Sequence, residues 1–291
     1  MKVKFWGVRG SIPSPGPETA FFGGNTACVE IIIPERPDEV FILDAGTGIR
    51  KLGLDLLTRK IKKIHLFISH THWDHIQGFP FFVPAFMKGT EIDIYGPKSH
   101  GRNVQQALTT QMEYDFFPVP QRWLPSQMKF IELVEESHQI GDIKFSTKIS
   151  NHPVITLGFK FEYKGRSLYF SGDMEKYYDP FEGMDAEGAK AVDEENERHA
   201  NFLKGCNLVI HDAQYTEEEY AGKKGWGHST FEQAMEFCNI AKAEKLYFWS
   251  HDPTRTDDEL KKIVVEQREK LKKEGSKLII EAAREGETIE V

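Results

Sequence analysis

Short apolar segments recur along this sequence, and several of them end directly in a histidine or an aspartate. They are rich in β-branched and aromatic residues and have the length of buried strands. The predicted strands are Val3–Trp6, Cys28–Ile33, Val40–Leu43, Ile64–Ser69, Glu91–Tyr95, Lys129–Leu133, Ile143–Ser150, Thr156–Tyr163, Ser167–Ser171, Leu208–His211, Lys245–Ser250 and Lys277–Glu281.

Helical stretches alternate with these strands. The predicted helices are Thr47–Lys60, Arg102–Gln111, Gly188–Leu203, Thr230–Ala241 and Asp257–Glu274. In each half of the chain a group of strands is followed by helices, which indicates two sheets enclosed by helices. The predicted fold class is therefore α/β, in the form of a four-layer αββα sandwich.

The chain has 291 residues, of which 40% are hydrophobic, so it can bury a sizeable core. No glycine- and serine-rich linker or low-complexity tract divides it, and we expect a single domain over residues 1–291. The first seven residues, Met1 to Gly7, lack an apolar stretch of signal-sequence length, and no apolar run reaches the length of a membrane span. We therefore expect a cytoplasmic protein with no membrane partner.

Cysteine content and net charge further limit the classes of protein and partner that fit this sequence. Cys28, Cys206 and Cys238 are scattered without CxxC spacing, which is typical of reduced core residues rather than of a disulfide framework. The net charge is −8 and the pI is about 5.8. An acidic surface repels long polyanions, so long nucleic acid is disfavoured as a partner, whereas a small charged substrate is compatible.

One segment carries a dense set of metal-ligand residues: Ser69-His70-Thr71-His72-Trp73-Asp74-His75-Ile76-Gln77-Gly78. It directly follows the apolar run Ile64–Ile68, at the carboxyl end of a predicted strand, where open α/β sheets place their sites. In an extended stretch the side chains of His70 and His72 lie on the same side. Imidazole and carboxylate ligands together favour Zn²⁺, with Mn²⁺ and iron as alternatives.

Three further ligand-type residues follow apolar strands later in the chain. They are His152 in Asn151-His152-Pro153, Asp173 in Ser171-Gly172-Asp173 and His251 in Ser250-His251-Asp252. Each alone is better explained as a loop residue. Together with the first motif they give seven ligands, which is a natural number for two metal ions that share one carboxylate.

The order of these motifs resembles the metallo-β-lactamase superfamily. The resemblance implies that His70, His72 and His152 hold one divalent metal ion, that Asp74, His75 and His251 hold a second, and that Asp173 bridges them. It also implies that Asp44, in Phe41-Ile42-Leu43-Asp44-Ala45-Gly46, orients a ligand from behind. The two metal ions are the predicted cofactors, and no organic cofactor site is predicted.

Two later segments resemble ribonuclease Z and its phosphodiesterase relatives: His211-Asp212-Ala213-Gln214-Tyr215 and Gly225-Trp226-Gly227-His228-Ser229-Thr230. The resemblance implies that His228 donates a proton to the leaving group and that Asp212 orients it. We count these two residues and Asp74 as catalytic. The family usually has Glu at the position of Asp212, so the shorter side chain must still reach His228.

The resulting hypothesis is a metal-dependent hydrolase, a phosphodiesterase that acts on a small or cyclic phosphodiester such as a cyclic nucleotide. One alternative is a tRNA 3′-processing endoribonuclease, although the chain lacks the basic glycine-rich arm that ribonuclease Z carries. Another is a non-catalytic sensor that binds metal or nucleotide. A β-lactamase is the least favoured, because no secretion signal is present.

Three features stay open. The stretch Ser99–Pro125 contains Tyr114-Asp115-Phe116-Phe117-Pro118, which indicates a lid, a contact in a homodimer, or an ordinary surface excursion. Arg9 is either a phosphate contact or part of a structural ion pair. Ser229 and Glu232 resemble a capping box, which predicts that Ser229 begins the following helix.

Overall fold

The computed structural model describes residues 1–99, 101–179, 183 and 185–291. The chain divides into two compact units, of which the first is Met1–Val134 with Arg284–Val291 and the second is Glu135–Ala283. The expectation of a single domain stays a prediction. Among the described residues, no helix combines the length and the apolar character needed to cross a membrane.

A seven-stranded mixed sheet forms the first unit. Its strands, in spatial order, are β14 (Thr288–Glu290), β1 (Lys2–Gly7), β2 (Cys28–Ile32), β3 (Glu39–Leu43), β4 (Lys63–Phe67), β5 (Glu91–Pro97) and β6 (Gln127–Leu133). From β3 to β6 the strands are parallel, and the others pair antiparallel. The end of the chain thus returns to the first sheet, where β14 pairs with β1.

The first unit's helices are α1 (Ile49–Arg59), α2 (Trp73–Ile76) and α3 (Val104–Gln111), with 3₁₀ turns at Pro17–Thr19, Phe79–Phe81, Val83–Phe86 and Gln121–Trp123. Helix α1 buries Ile49, Leu52 and Leu56, whose spacing places them on one helix face. These residues belong to the same buried cluster as side chains of β3 and β4. The sheet face beneath α1 therefore contributes to the core, and the carboxyl ends of β3 and β4 are held in place.

A second seven-stranded mixed sheet forms the second unit. Its spatial order is β13 (Ile279–Ala282), β12 (Lys245–Trp249), β11 (Leu208–Asp212), β10 (Arg166–Phe170), β9 (Thr156–Tyr163), β8 (Ile143–Ser150) and β7 (Ser137–Ile140). Strands β10 to β13 are parallel and the rest pair antiparallel. The helices are α4 (Ala186–Phe202), α5 (Glu217–Tyr220), α6 (Phe231–Ala241) and α7 (Asp257–Lys273).

The predicted α/β class is confirmed, because both units consist of a mixed sheet with helices. All of the predicted helices and strands are present with small shifts at their ends. The sequence analysis missed β7, β14, α2 and α5. These elements have only three or four residues each, too few for a hydrophobic period to show.

The predicted start of helix α6 is wrong by one residue. Thr230, not Ser229, is the N-cap, and it forms a capping box with Gln233 rather than with Glu232. The Ser229 hydroxyl instead donates to the carbonyl of Met174 at 2.7 Å. Both residue pairs fit the capping pattern, and the buried bond to Met174 decides between them.

Candidate metal centre

The loop after β4 gathers three imidazoles and a carboxylate within the first unit. The ring of His70 lies 4.6 Å from that of His72 and 4.1 Å from that of His75, centroid to centroid. The carboxylate of Asp74 lies 3.4 Å from Nε2 of His75. His72 is the N-cap of the short helix α2, in which Asp74 and His75 lie, so the chain turns immediately after His72 and brings these four side chains together.

Asp44, at the carboxyl end of β3, supports this loop from behind. Its carboxylate accepts hydrogen bonds from the Ser69 amide at 2.7 Å, the Ser69 hydroxyl at 2.8 Å and Nδ1 of His75 at 2.8 Å. Full burial raises the pKa of Asp44, and the contacts with His75 and Ser69 oppose that rise. Because Nδ1 of His75 is held by the carboxylate, Nε2 is the nitrogen that can bind a metal ion.

Ser11 holds Asp74, a contact that the sequence analysis missed. The Ser11 amide donates to Oδ2 of Asp74 at 2.7 Å, and Ser11 has the unusual φ of 61° for a residue other than glycine. The nearby Arg9 is fully buried, and its Nε donates to the carbonyl of Gly23 at 2.8 Å. Burial and this bond to Gly23 favour a structural role for Arg9 over contact with a phosphate.

In the second unit, backbone carbonyls orient two of the predicted histidine ligands. Nδ1 of His152 donates to the carbonyl of Gly227 at 2.8 Å, and Nε2 of His251 donates to the carbonyl of Ala283 at 2.8 Å. Each bond fixes the tautomer, so the other ring nitrogen is the one that could bind a metal ion. Asp173, which follows β10, is 1% exposed, so its carboxylate is a buried group that could also bind a metal ion.

Asp212 and His228 form a buried pair despite the shorter side chain of Asp. Nδ1 of His228 donates to Oδ2 of Asp212 at 2.9 Å, and the same oxygen accepts from the Met174 amide at 3.0 Å. One carboxylate oxygen of Asp173, one of Asp212 and one ring nitrogen of His228 all lie within 4.8 Å of one another. Burial raises the pKa of Asp212 to about 7, and Asp173 adds to this rise while His228 opposes it.

Glu175 is the second residue that the sequence analysis missed. Its buried carboxylate accepts from the amides of Gly225 at 2.8 Å and Gly227 at 2.9 Å, and from the Tyr220 hydroxyl at 2.6 Å. The Glu175 amide donates to the carbonyl of Asn151 at 2.9 Å. Glu175 therefore connects the loops that carry His152, Asp173 and His228.

Gly227 is required where these loops meet. It has a φ of +86°, and a Cβ atom there would lie 2.2 Å from Nδ1 of His152. Only a glycine lets the backbone approach closely enough for its carbonyl to accept from His152. In the sequence the paired glycines of Gly225-Trp226-Gly227 were the available signal, whereas nothing distinguished Glu175 from a surface glutamate.

The donor chemistry suits divalent transition metals in each unit. Of the predicted ligands, His70, His72, Asp74 and His75 lie in the first unit, and His152, Asp173 and His251 lie in the second. Three of the histidines, His75, His152 and His251, have one ring nitrogen fixed by a carboxylate or a carbonyl. Such support is typical of metal-binding histidines and exceeds what a solvated histidine-rich loop requires.

Comparison with known proteins identifies the family of this chain. The family profile described as "Beta-lactamase superfamily domain" matches residues 40–249. Ribonuclease Z of Enterococcus faecalis is 24% identical over 286 residues, which cover 84% of this chain and 85% of that protein.

Solved structures agree in fold. The metallo-β-lactamase fold protein YhfI of Bacillus subtilis superposes with a TM-score of 0.68 at 16% identity, covering 99% of this chain and 97% of that chain. The short form of human tRNase Z has a TM-score of 0.66 at 20% identity, covering 100% and 99%. The metallo-β-lactamase fold and the enzyme class predicted from the sequence are confirmed: this chain belongs to the beta-lactamase superfamily and is a metal-dependent hydrolase.

Proposed function

We propose that this enzyme is a phosphodiesterase that hydrolyses a small or cyclic phosphodiester such as a cyclic nucleotide. The observation that carries the proposal is the buried hydrogen bond of 2.9 Å between His228 and Asp212. Phosphodiester hydrolysis expels an alkoxide, which is a poor leaving group and benefits from a positioned proton donor. Thioester and lactam hydrolysis have less need of one.

His228 and Asp212 suit the role of a positioned acid. Because Nδ1 of His228 donates to the Asp212 carboxylate, the proton for the leaving group resides on Nε2. The Met174 amide keeps Asp212 in place, and Asp212 stabilises the imidazolium form of His228. His228 is 8% exposed, so bulk water competes little for its proton.

The proposed ligands are those implied by the family resemblance. His70, His72 and His152 would hold one divalent ion, Asp74, His75 and His251 would hold the second, and Asp173 would be shared between the two. Zn²⁺ is the metal we propose, since imidazole and carboxylate ligands suit it. When bound, a pair of such ions polarises the phosphodiester and activates a water molecule at neutral pH.

A second candidate function is cleavage of precursor tRNA. The ribonuclease Z relative favours it, since the match extends over 85% of that protein. The net charge of −8 favours the small substrate, because an acidic protein repels a long polyanion unless a basic patch attracts it. Turnover of the two substrates side by side separates the two candidates.

The test is hydrolysis of bis(p-nitrophenyl) phosphate, 2′,3′- and 3′,5′-cyclic nucleotides and a precursor tRNA by the zinc-loaded enzyme. We expect metal-dependent turnover of the small esters that a chelator abolishes and added Zn²⁺ restores. His228→Ala should lower kcat by about 10²–10⁴. His138→Ala is the matched control, since His138 stacks on Phe145 within the same unit and has no proposed role.

Two outcomes would contradict the proposal. If zinc-loaded enzyme turns over no phosphodiester, or if His228→Ala equals the wild type on all of them, the enzyme is not the phosphodiesterase described here. If precursor tRNA is cleaved at nanomolar enzyme while the small esters react weakly, the second candidate replaces the first.

A further inference from the structure

The first unit contains a cavity of about 450 Å³ beside the metal-ligand loop. Its lining includes Thr71 and Trp73, which alternate along the chain with the ligands His70, His72 and Asp74. The remaining lining comes mainly from helix α3 and its flanking segments, including Arg102, Thr110, Gln111 and Phe116. A group bound here is therefore next to the proposed ligands of the first unit.

Two aromatic side chains of this cavity are unusually exposed. Trp73 is 80% exposed and Phe116 is 70% exposed. The adjacent Phe117 packs against the core cluster and contacts Phe81, with ring centroids 5.4 Å apart. Phe117 thereby anchors the segment and leaves Phe116 in solvent. Exposed aromatic rings that line one cavity indicate a binding surface rather than part of the core.

Polar groups accompany these rings. The Gln111 amide nitrogen donates to the carbonyl of Ile76 at 3.0 Å, which fixes the orientation of that side chain. Thr71, Thr110 and the exposed Arg102 add hydroxyl groups and a positive charge. A planar ligand with hydrogen-bonding edges and a nearby negative charge matches this mixture better than an aliphatic group does.

We propose that the cavity binds the nucleobase of a nucleotide substrate, stacked on Trp73 and Phe116, with Arg102 close to its phosphate. The proposal deepens the function given above and rests on it for the identity of the reaction. The nucleobase belongs to either a small nucleotide or an RNA end. Stacking tolerates any base, since each presents an aromatic face.

Two esters with the same leaving group test the proposal. One is thymidine 5′-monophosphate p-nitrophenyl ester, and the other is methyl p-nitrophenyl phosphate, which has no base. Trp73→Ala should raise KM for the nucleotide ester about tenfold and change KM for the methyl ester by less than about twofold. Trp73→Phe keeps a stacking ring and should retain most of the difference between the two esters.

The matched control is Trp123→Ala. Trp123 is another exposed tryptophan of the first unit, 60% exposed, and the cavity lining does not include it. Trp123→Ala should leave KM unchanged for both esters. Binding of adenosine 5′-monophosphate, measured by calorimetry, gives a readout that does not require turnover. We expect it to weaken about tenfold in Trp73→Ala and in Phe116→Ala.

The outcomes separate the two proposals. If the wild type hydrolyses neither ester, the proposed phosphodiesterase function fails, and calorimetry decides the cavity by itself. The cavity proposal is overturned if the wild type binds no adenosine monophosphate, or if Trp73→Ala and Phe116→Ala bind it like the wild type. It is equally overturned if Trp73→Ala raises KM for both esters by the same factor. Comparing adenosine monophosphate with a short RNA of the same 3′ base then shows which source of the base binds more tightly.

Discussion

The candidate ligands of the two units are arranged differently along the chain. In the first unit four of them fall between His70 and His75, on one turn of chain supported by Asp44 and Ser69. In the second unit His152, Asp173 and His251 come from three loops that are far apart in sequence. The support of His152 is also farther along the chain, since it bonds to Gly227 at 75 positions, whereas His75 bonds to Asp44 at 31 positions.

This contrast has an energetic consequence. A short loop orders its ligands at little entropic cost once the adjoining strand has formed, whereas distant loops must first be brought together. The second unit therefore depends on buried contacts among loops, of which the Glu175 carboxylate makes several. Substitution of the residues that hold the ligands should show how strongly each unit depends on such contacts.

The largest expected effect is that of Asp212 on the proton donor. Asp212→Asn replaces the acceptor of His228 with an amide, and we expect kcat on phosphodiesters to fall about a hundredfold. Asp212→Glu keeps a carboxylate on a longer side chain, and should recover part of the activity that Asp212→Asn loses.

The pH dependence provides the check. A general acid must be protonated to act, so a rate that depends on His228 as the proton donor should fall as the pH rises. This decrease in rate at high pH, the alkaline limb of the pH–rate profile, should be absent in His228→Ala. A limb that persists unchanged in His228→Ala would show that another group donates the proton.

The next effect concerns the support of the ligand loop in the first unit by Asp44. Asp44→Asn puts an amide where three donors converge, and Asn tolerates the positive φ of 62° at this position. We expect Zn²⁺ affinity to fall about 10–100-fold, measured by competition with a chelator. The exposed Asp38, substituted in the same way, is the control. Equal affinity in the two variants would mean that Ser69 alone positions His75.

Distributed support in the second unit is tested at Glu175. In Glu175→Gln an amide N–H₂ group meets donors that need an acceptor, so the loop carrying Gly227 and His228 should loosen. We expect kcat/KM to fall about tenfold per folded molecule, together with weaker metal binding. Glu236→Gln, at an exposed ion pair with Lys176, is the matched control. A lower Tm with unchanged kcat/KM would show that Glu175 acts on stability alone.

The same contrast explains how far sequence reasoning reached. The strand positions and the residues from His70 to His75 follow from local pattern, because ligand types and spacing lie within a few positions of a strand end. The pairing of His228 with Asp212 came from family resemblance, and the structure adds that the Asp side chain spans the distance. Ser11 and Glu175 were missed because their roles arise only from contacts between distant segments.

The smallest effect separates Thr230 from Ser229 at the start of helix α6. Thr230 is the N-cap, and its hydroxyl accepts from the Gln233 amide at 3.1 Å, so Thr230→Ala should cost about 1 kcal/mol of unfolding free energy. Activity should hardly change, because this bond lies within the helix end. Ser229→Ala removes the bond to the Met174 carbonyl and should cost a similar amount.

Ser229→Ala should lower both stability and kcat, whereas Thr230→Ala should lower stability alone. Met174 lies between Asp173 and Glu175, and its amide holds Asp212, so loss of the Ser229 bond should also lower kcat about twofold to fivefold. Urea unfolding and kcat, measured on both variants, give the comparison. If the two lose stability equally and neither loses activity, the loop at Met174 is held without Ser229, and support in the second unit is more redundant than its contacts indicate.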